Sequence, residues 1–67
     1  MVAILLNGAA REVPPQHTLH DLVEALELGG QALALAVNRA VVPRQRWREQ
    51  VLRERDQVDI VRAIGGG

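Results

Sequence analysis

The spacing of apolar positions changes several times along this chain, and each change marks an element. Val2 to Leu6 is an unbroken apolar run, followed by Asn7-Gly8, a pair suited to the φ > 0 positions of a type I′ turn. Ala9 to Val13 reads as the returning strand, so the pattern predicts an opening β-hairpin. Pro14-Pro15 ends it, because neither proline donates to a ladder. From Thr18 the period becomes helical: Leu19, Leu22, Val23 and Leu26 fall at i, i+3, i+4 and i+7 and form one buried stripe. Asp21, Glu24 and Glu27 face water. Thr18 is the expected N-cap, and Asp21 makes a weak capping box that also sets a carboxylate at the positive helix end. Gly29-Gly30 is expected to stop the helix.

A period of two then returns. Leu33 to Val37 places large residues on one face of a strand and alanines on the other. Asn38-Arg39 makes a turn, and Ala40 to Val42 is a fourth strand that Pro43 confines to an edge. Arg44 to Gln50 reads as a short helical turn with Trp47 folded inward. Val51-Leu52 is a brief extended piece, and Glu54-Arg55-Asp56 is the last turn. The closing strand, Val58 to Ile64, runs straight into Gly65, Gly66 and Gly67. The order ββαβββ has no internal repeat. It predicts an α+β domain in which one helix packs across one mixed sheet.

Alternation along the closing strand divides its side chains between two faces. If Val58 and Ile60 meet the helix, Val61 and Ala63 look outward, and Leu5, Ala34 and Ala36 join them. Those five residues form a shallow apolar patch at the root of the glycine tail, a candidate docking surface.

Composition narrows the function. At 67 residues the chain is one domain, and a domain this short buries only about 60% of the surface of its unfolded form. With 48% hydrophobic residues and Trp47 the one aromatic, the core must be aliphatic. Eight basic and eight acidic residues cancel, which gives little affinity for phosphate backbones or anionic membranes. No nucleic-acid or membrane partner is expected. No secretory or membrane-spanning stretch stands out, so the cytoplasm is the expected compartment. All the basic residues are arginine, and cysteine, serine and lysine are absent. That removes disulfides, thiolate metal sites and the usual nucleophiles. His17 and His20 have no third ligand and read as solvated helix-start residues, so no metal site is expected. Arg44, Arg46 and Arg48 around Trp47 read as a solvated turn rather than an RNA contact.

Glycine contributes no side chain to packing, so a glycine terminus is useful where a thin, flexible carboxylate must enter a narrow site. A frayed end is the plain alternative. Residues 1–64 are accordingly read as the domain and 65–67 as its flexible tail.

The hairpin, single helix, mixed sheet and terminal diglycine resemble the ubiquitin-like β-grasp family. Within it the chain is similar to the ThiS-type sulfur carriers of thiamine thiazole biosynthesis. Ala3-Ile4-Leu5-Leu6-Asn7-Gly8 looks like the family's opening strand and turn. Thr18-Leu19-His20-Asp21-Leu22 looks like its helix start. Ala36-Val37-Asn38, then Val41-Val42-Pro43-Arg44 and Trp47, is the most specific block. Asp56-Gln57-Val58 leading to Arg62-Ala63-Ile64-Gly65-Gly66-Gly67 looks like the closing strand and tail. Arg55-Asp56 departs from a more usual Gly-Asp, and the third glycine is not required.

The resemblance implies a protein co-substrate, not an enzyme, monomeric when free. A ubiquitin-activating-type adenylyltransferase would use ATP and magnesium to couple the Gly67 carboxylate to AMP. A persulfide sulfur donor would displace AMP and leave a thiocarboxylate, from which a thiazole synthase takes sulfur. Carriers for tRNA thiolation or molybdopterin synthesis share the fold and the diglycine. A module that only binds a partner through its sheet, and has no need of the last two glycines, is the alternative of a different class.

Overall fold

A computed structural model describes residues 1–62 of the chain. The readings placed on Ala63, Ile64 and residues 65–67, including the flexible tail, lie outside the described residues. β1 (Val2–Leu6) and β2 (Ala9–Val13) form an antiparallel hairpin in register from Val2 opposite Val13 to Leu6 opposite Ala9. Asn7 and Gly8 have φ of 50° and 84°, as a type I′ turn requires. α1 (Leu19–Ala25) follows, then β3 (Leu33–Val37), β4 (Ala40–Val42), a 3₁₀ turn at Arg44–Arg46 and β5 (Gln57–Arg62). Asn38 and Arg39 repeat the left-handed pair, with φ of 51° and 71°, and join β3 to β4.

The five strands lie in the order β2-β1-β5-β3-β4. β5 is the central strand, parallel to β1 and antiparallel to β3. One layer is this sheet and the other is α1. Between them lie Ile4, Leu19, Leu22, Leu35, Leu52 and Val58, each almost wholly buried. The helical stripe and the strand alternation therefore meet as the sequence predicts.

Helix α1 begins as expected and ends differently. Thr18 Oγ1 accepts from Asp21 N–H, and Asp21 Oδ2 accepts from Thr18 N–H, each at 3.1 Å, so the capping box is complete. Two further N–H groups at the helix start find carbonyls from a distant segment. Leu19 donates to Gln50 at 3.0 Å and His20 to Trp47 at 3.2 Å. Gly29-Gly30, by contrast, does not stop the helix. Leu26 is the C-cap, and Glu27 takes the left-handed conformation with φ of 59°. Leu28 N–H bonds to Val23 C=O and Glu27 N–H to Glu24 C=O, both at 3.0 Å, the double closure of a Schellman motif. Leu28 packs against the core directly after the turn. Tertiary burial of Leu28 thus ends the helix two residues before a glycine is available.

Trp47 is folded inward, 4% exposed, with its indole N–H donating to Val42 C=O at 2.9 Å. The Arg44 guanidinium lies 4.7 Å from the ring centroid and donates to Gln31 C=O at 2.7 Å. The predicted short helical turn is a 3₁₀ turn. Val51 makes an isolated antiparallel bridge with Thr18, as the brief extended piece implied.

Candidate functional site at the root of the C-terminal segment

β5 carries the chain toward the glycines, and three local devices fix it. The first is at its start. Asn38 N–H donates to Gln57 C=O at 2.7 Å, and Asn38 Oδ1 accepts from Gln57 N–H at 3.0 Å. Asn38 Nδ2 also donates to Asp56 Oδ1 at 3.1 Å, while Asp56 Oδ2 accepts from Arg53 N–H at 2.8 Å. The second is the turn residue Arg55, at φ of 71°, whose N–H donates to Ala3 C=O at 2.7 Å. The third is Asn7, whose side chain meets the Ile60 peptide, with Oδ1 accepting from its N–H at 2.8 Å. Asn7 and Asn38 are thereby structural residues of the closing strand as well as turn residues.

The two faces of β5 divide as the alternation predicts. Val58 is fully buried and Ile60 packs against the core, while Asp59 and Val61 look outward. On the outward face Ala34 stands opposite Val61, Ala36 opposite Asp59, and Leu5 beside Gln57. Val61 is 61% exposed and Leu5 36%. Four of the five residues predicted for the patch are therefore brought together, and the fifth, Ala63, lies outside the described residues. Sequence reasoning missed Val41, 77% exposed and opposite Ala36. The signal was present, because Val42 is buried and a strand neighbour must face the other way. Asp59 sits among these apolar residues, and with Leu5, Gly8 and Gln57 it lines a shallow depression. The face is a mixed surface with a carboxylate near its middle rather than a purely apolar one.

Other charged groups lie away from this face. His17 and His20 are half-buried, and among the described residues no three His, Cys, Asp or Glu side chains stand close enough to hold a metal. The Asp21 carboxyl is held below its ordinary range, first by the Thr18 backbone N–H and then by the Thr18 hydroxyl. This shift belongs to helix capping. No described helix is long and apolar enough to cross a membrane.

A five-stranded mixed sheet crossed by one helix, with a parallel pair at its centre, defines a ubiquitin-like β-grasp protein. The crystal structure of a thiamine biosynthesis protein (ThiS) from Geobacter metallireducens shares this fold. Its TM-score is 0.81 over 98% of this chain and 100% of that one, at 20% identity. The family model for ThiS matches residues 4–67. The sulfur carrier protein ThiS of Escherichia coli is 34% identical over 96% of this chain and 97% of its own length. A thiazole synthase from Magnetococcus marinus is 38% identical over 96% of this chain, a stretch that makes up 20% of that protein. The chain belongs to the ThiS family.

Proposed function

We propose that this chain is a sulfur carrier for thiazole formation in thiamine biosynthesis. It serves as a protein co-substrate rather than a catalyst, and Gly67 is its reacting residue. The observation that carries this reading is the extent of the family match, which runs to residue 67 and so includes the three glycines.

A carboxylate is a resonance-stabilised, poor acyl donor. An adenylyltransferase using ATP and magnesium would attach the Gly67 carboxylate to the α-phosphate and release pyrophosphate. The terminal sulfur of a persulfide donor would then attack the carbonyl carbon, and AMP would leave with the bonding electrons. A thiol would cleave the resulting sulfur–sulfur bond. The partner is thereby oxidised to a disulfide, and the thiocarboxylate stays on Gly67. Gly65 and Gly66 have no Cβ and suit a tight channel. The outward face of Leu5, Ala34, Ala36 and Val61 is the surface we assign to docking. Thiazole synthase is the sulfur acceptor we infer, supported by the relative of that name in which a matching stretch is part of a longer chain.

Intact-mass spectrometry after incubation with ATP, the cognate activating enzyme and a sulfur donor tests the reading. The expected gain equals replacement of one oxygen by sulfur, and it disappears when Gly67 is deleted. An unchanged mass with an enzyme that is active on another carrier would overturn it. Gly66→Val should keep the fold, seen as an unchanged circular dichroism spectrum, and lose adenylation through a steric block in the channel. Normal thiocarboxylate yield from that variant would refute the channel argument.

A further inference from the structure

β1 and β5 run side by side for only part of their length. Leu5 pairs with Gln57 and Leu6 with Val58, and then β1 turns away at Asn7-Gly8. On its other side β5 keeps a strand partner for longer, with Ile60 opposite Leu35 and Arg62 opposite Leu33. The β1 side of the Ile60 rung therefore has no strand residue to meet it. Asn7 takes that place with its side chain.

The geometry is that of a ladder extended by one step. Asn7 N–H donates to Val58 C=O at 2.9 Å. Its Oδ1 accepts from Ile60 N–H at 2.8 Å, and its Nδ2 donates to Ile60 C=O at 3.4 Å. A primary amide offers both an acceptor and a donor, as a peptide unit does. Neither a hydroxyl nor a carboxylate offers that pair in the same geometry. Asn7 also holds φ of 50°, a conformation that asparagine tolerates better than most residues. Turn and clamp therefore converge on one position.

Ile60 stands seven residues before Gly67, and the described strand extends only to Arg62. The last rung held on both sides sets the pivot for whatever lies beyond it. We propose that Asn7 is a positioning residue for the carboxyl-transfer reactions. By pinning Ile60 it fixes where the C-terminal segment leaves the sheet, and so reduces the ordering required when the glycines enter a partner. This role rests on the carrier reading given above. It acts on binding of the chain as a substrate, because the reacting carboxylate and the partner's own groups are unchanged.

Asn7→Gly separates clamp from turn, since Gly-Gly also suits a type I′ turn and both side-chain bonds are removed. Asn7→Asp keeps the acceptor for Ile60 N–H and loses the donor to its carbonyl. Two readouts are needed: amide hydrogen exchange at Ile60 by NMR, and ATP–pyrophosphate exchange with the cognate adenylyltransferase. In Asn7→Gly, Ile60 exchange should quicken while the buried helix amides keep their protection. KM for the chain should rise about three- to tenfold, the worth of one or two lost hydrogen bonds, with kcat unchanged. Asn7→Asp should fall between wild type and Asn7→Gly in both, and it carries the comparison if the glycine variant does not fold. Unchanged Ile60 exchange, or faster exchange with an unchanged KM, overturns the positioning role and leaves the carrier reading standing. If the enzyme turns over another carrier but not the wild-type chain, the carrier reading falls and the positioning role falls with it.

Discussion

Arg55 stands at φ of 71°, where a Cβ crowds the backbone and glycine is at ease. Its side chain is exposed and makes no hydrogen bond among the described residues, while its N–H holds β1 through Ala3. The departure from Gly-Asp noted in the sequence is therefore a local strain at a turn the fold requires. Arg55→Gly should stabilise the protein by about 1 kcal/mol, as relief of one left-handed residue allows. Urea denaturation would show this as a higher midpoint with an unchanged slope. Glu27, at φ of 59°, is a second such site and should respond in the same direction. Neither substitution touches the outward face, so both should leave sulfur transfer unaltered.

At the scale of elements, α1 is a seven-residue helix that no intrinsic propensity would sustain alone. Its start is held by the Thr18–Asp21 box and by carbonyls of Trp47 and Gln50. Thr18→Ala should cost about 1 kcal/mol, the usual worth of an N-cap, read from the denaturation midpoint. Asp21 adds a pH dependence whose sign follows from its lowered pKa. The folded state holds the carboxylate charged more firmly than the unfolded chain, where aspartate titrates near about 3.9. Its contribution is full above that value and is lost as pH falls through the lower folded pKa. Stability measured from pH 5 downward should therefore decline less in Asp21→Asn than in wild type. A parallel decline in both would remove Asp21 from the account.

For the whole molecule, the central place of β5 joins stability to function. Its inner face closes the core through Val58, and its outer face presents Val61 beside Ala34 and Leu5. Val61→Glu should leave the melting temperature nearly unchanged, because the side chain is 61% exposed. It should weaken binding to the activating enzyme and the synthase by about tenfold, as a charge placed in an apolar contact does. Calorimetric titration of the variant against either partner checks this. Equal affinity would move the docking surface off this face.

Much of this was fixed locally and could be read from the residues. The period-two runs, the two Asn-led turns, the helical stripe and Pro43 at an edge are consequences of backbone geometry acting over a few positions. They yield element order, fold class and the split of β5 into two faces. The glycine ending and the Val-Asn, Val-Pro-Arg, Trp block further identified the family. Contacts between distant segments decided the rest. Burial of Leu28 ended α1 at Glu27 before Gly29 could, and the carbonyls of Trp47 and Gln50 completed the helix start. The side chains of Asn7 and Asn38 were turned to hold β5 across 53 and 19 residues of sequence. Val41 joined the outward face through its place opposite Ala36. Periodicity expresses which side of an element is apolar. Which peptide group a side-chain amide will meet depends on strand order and register, and these exist only once the sheet has closed.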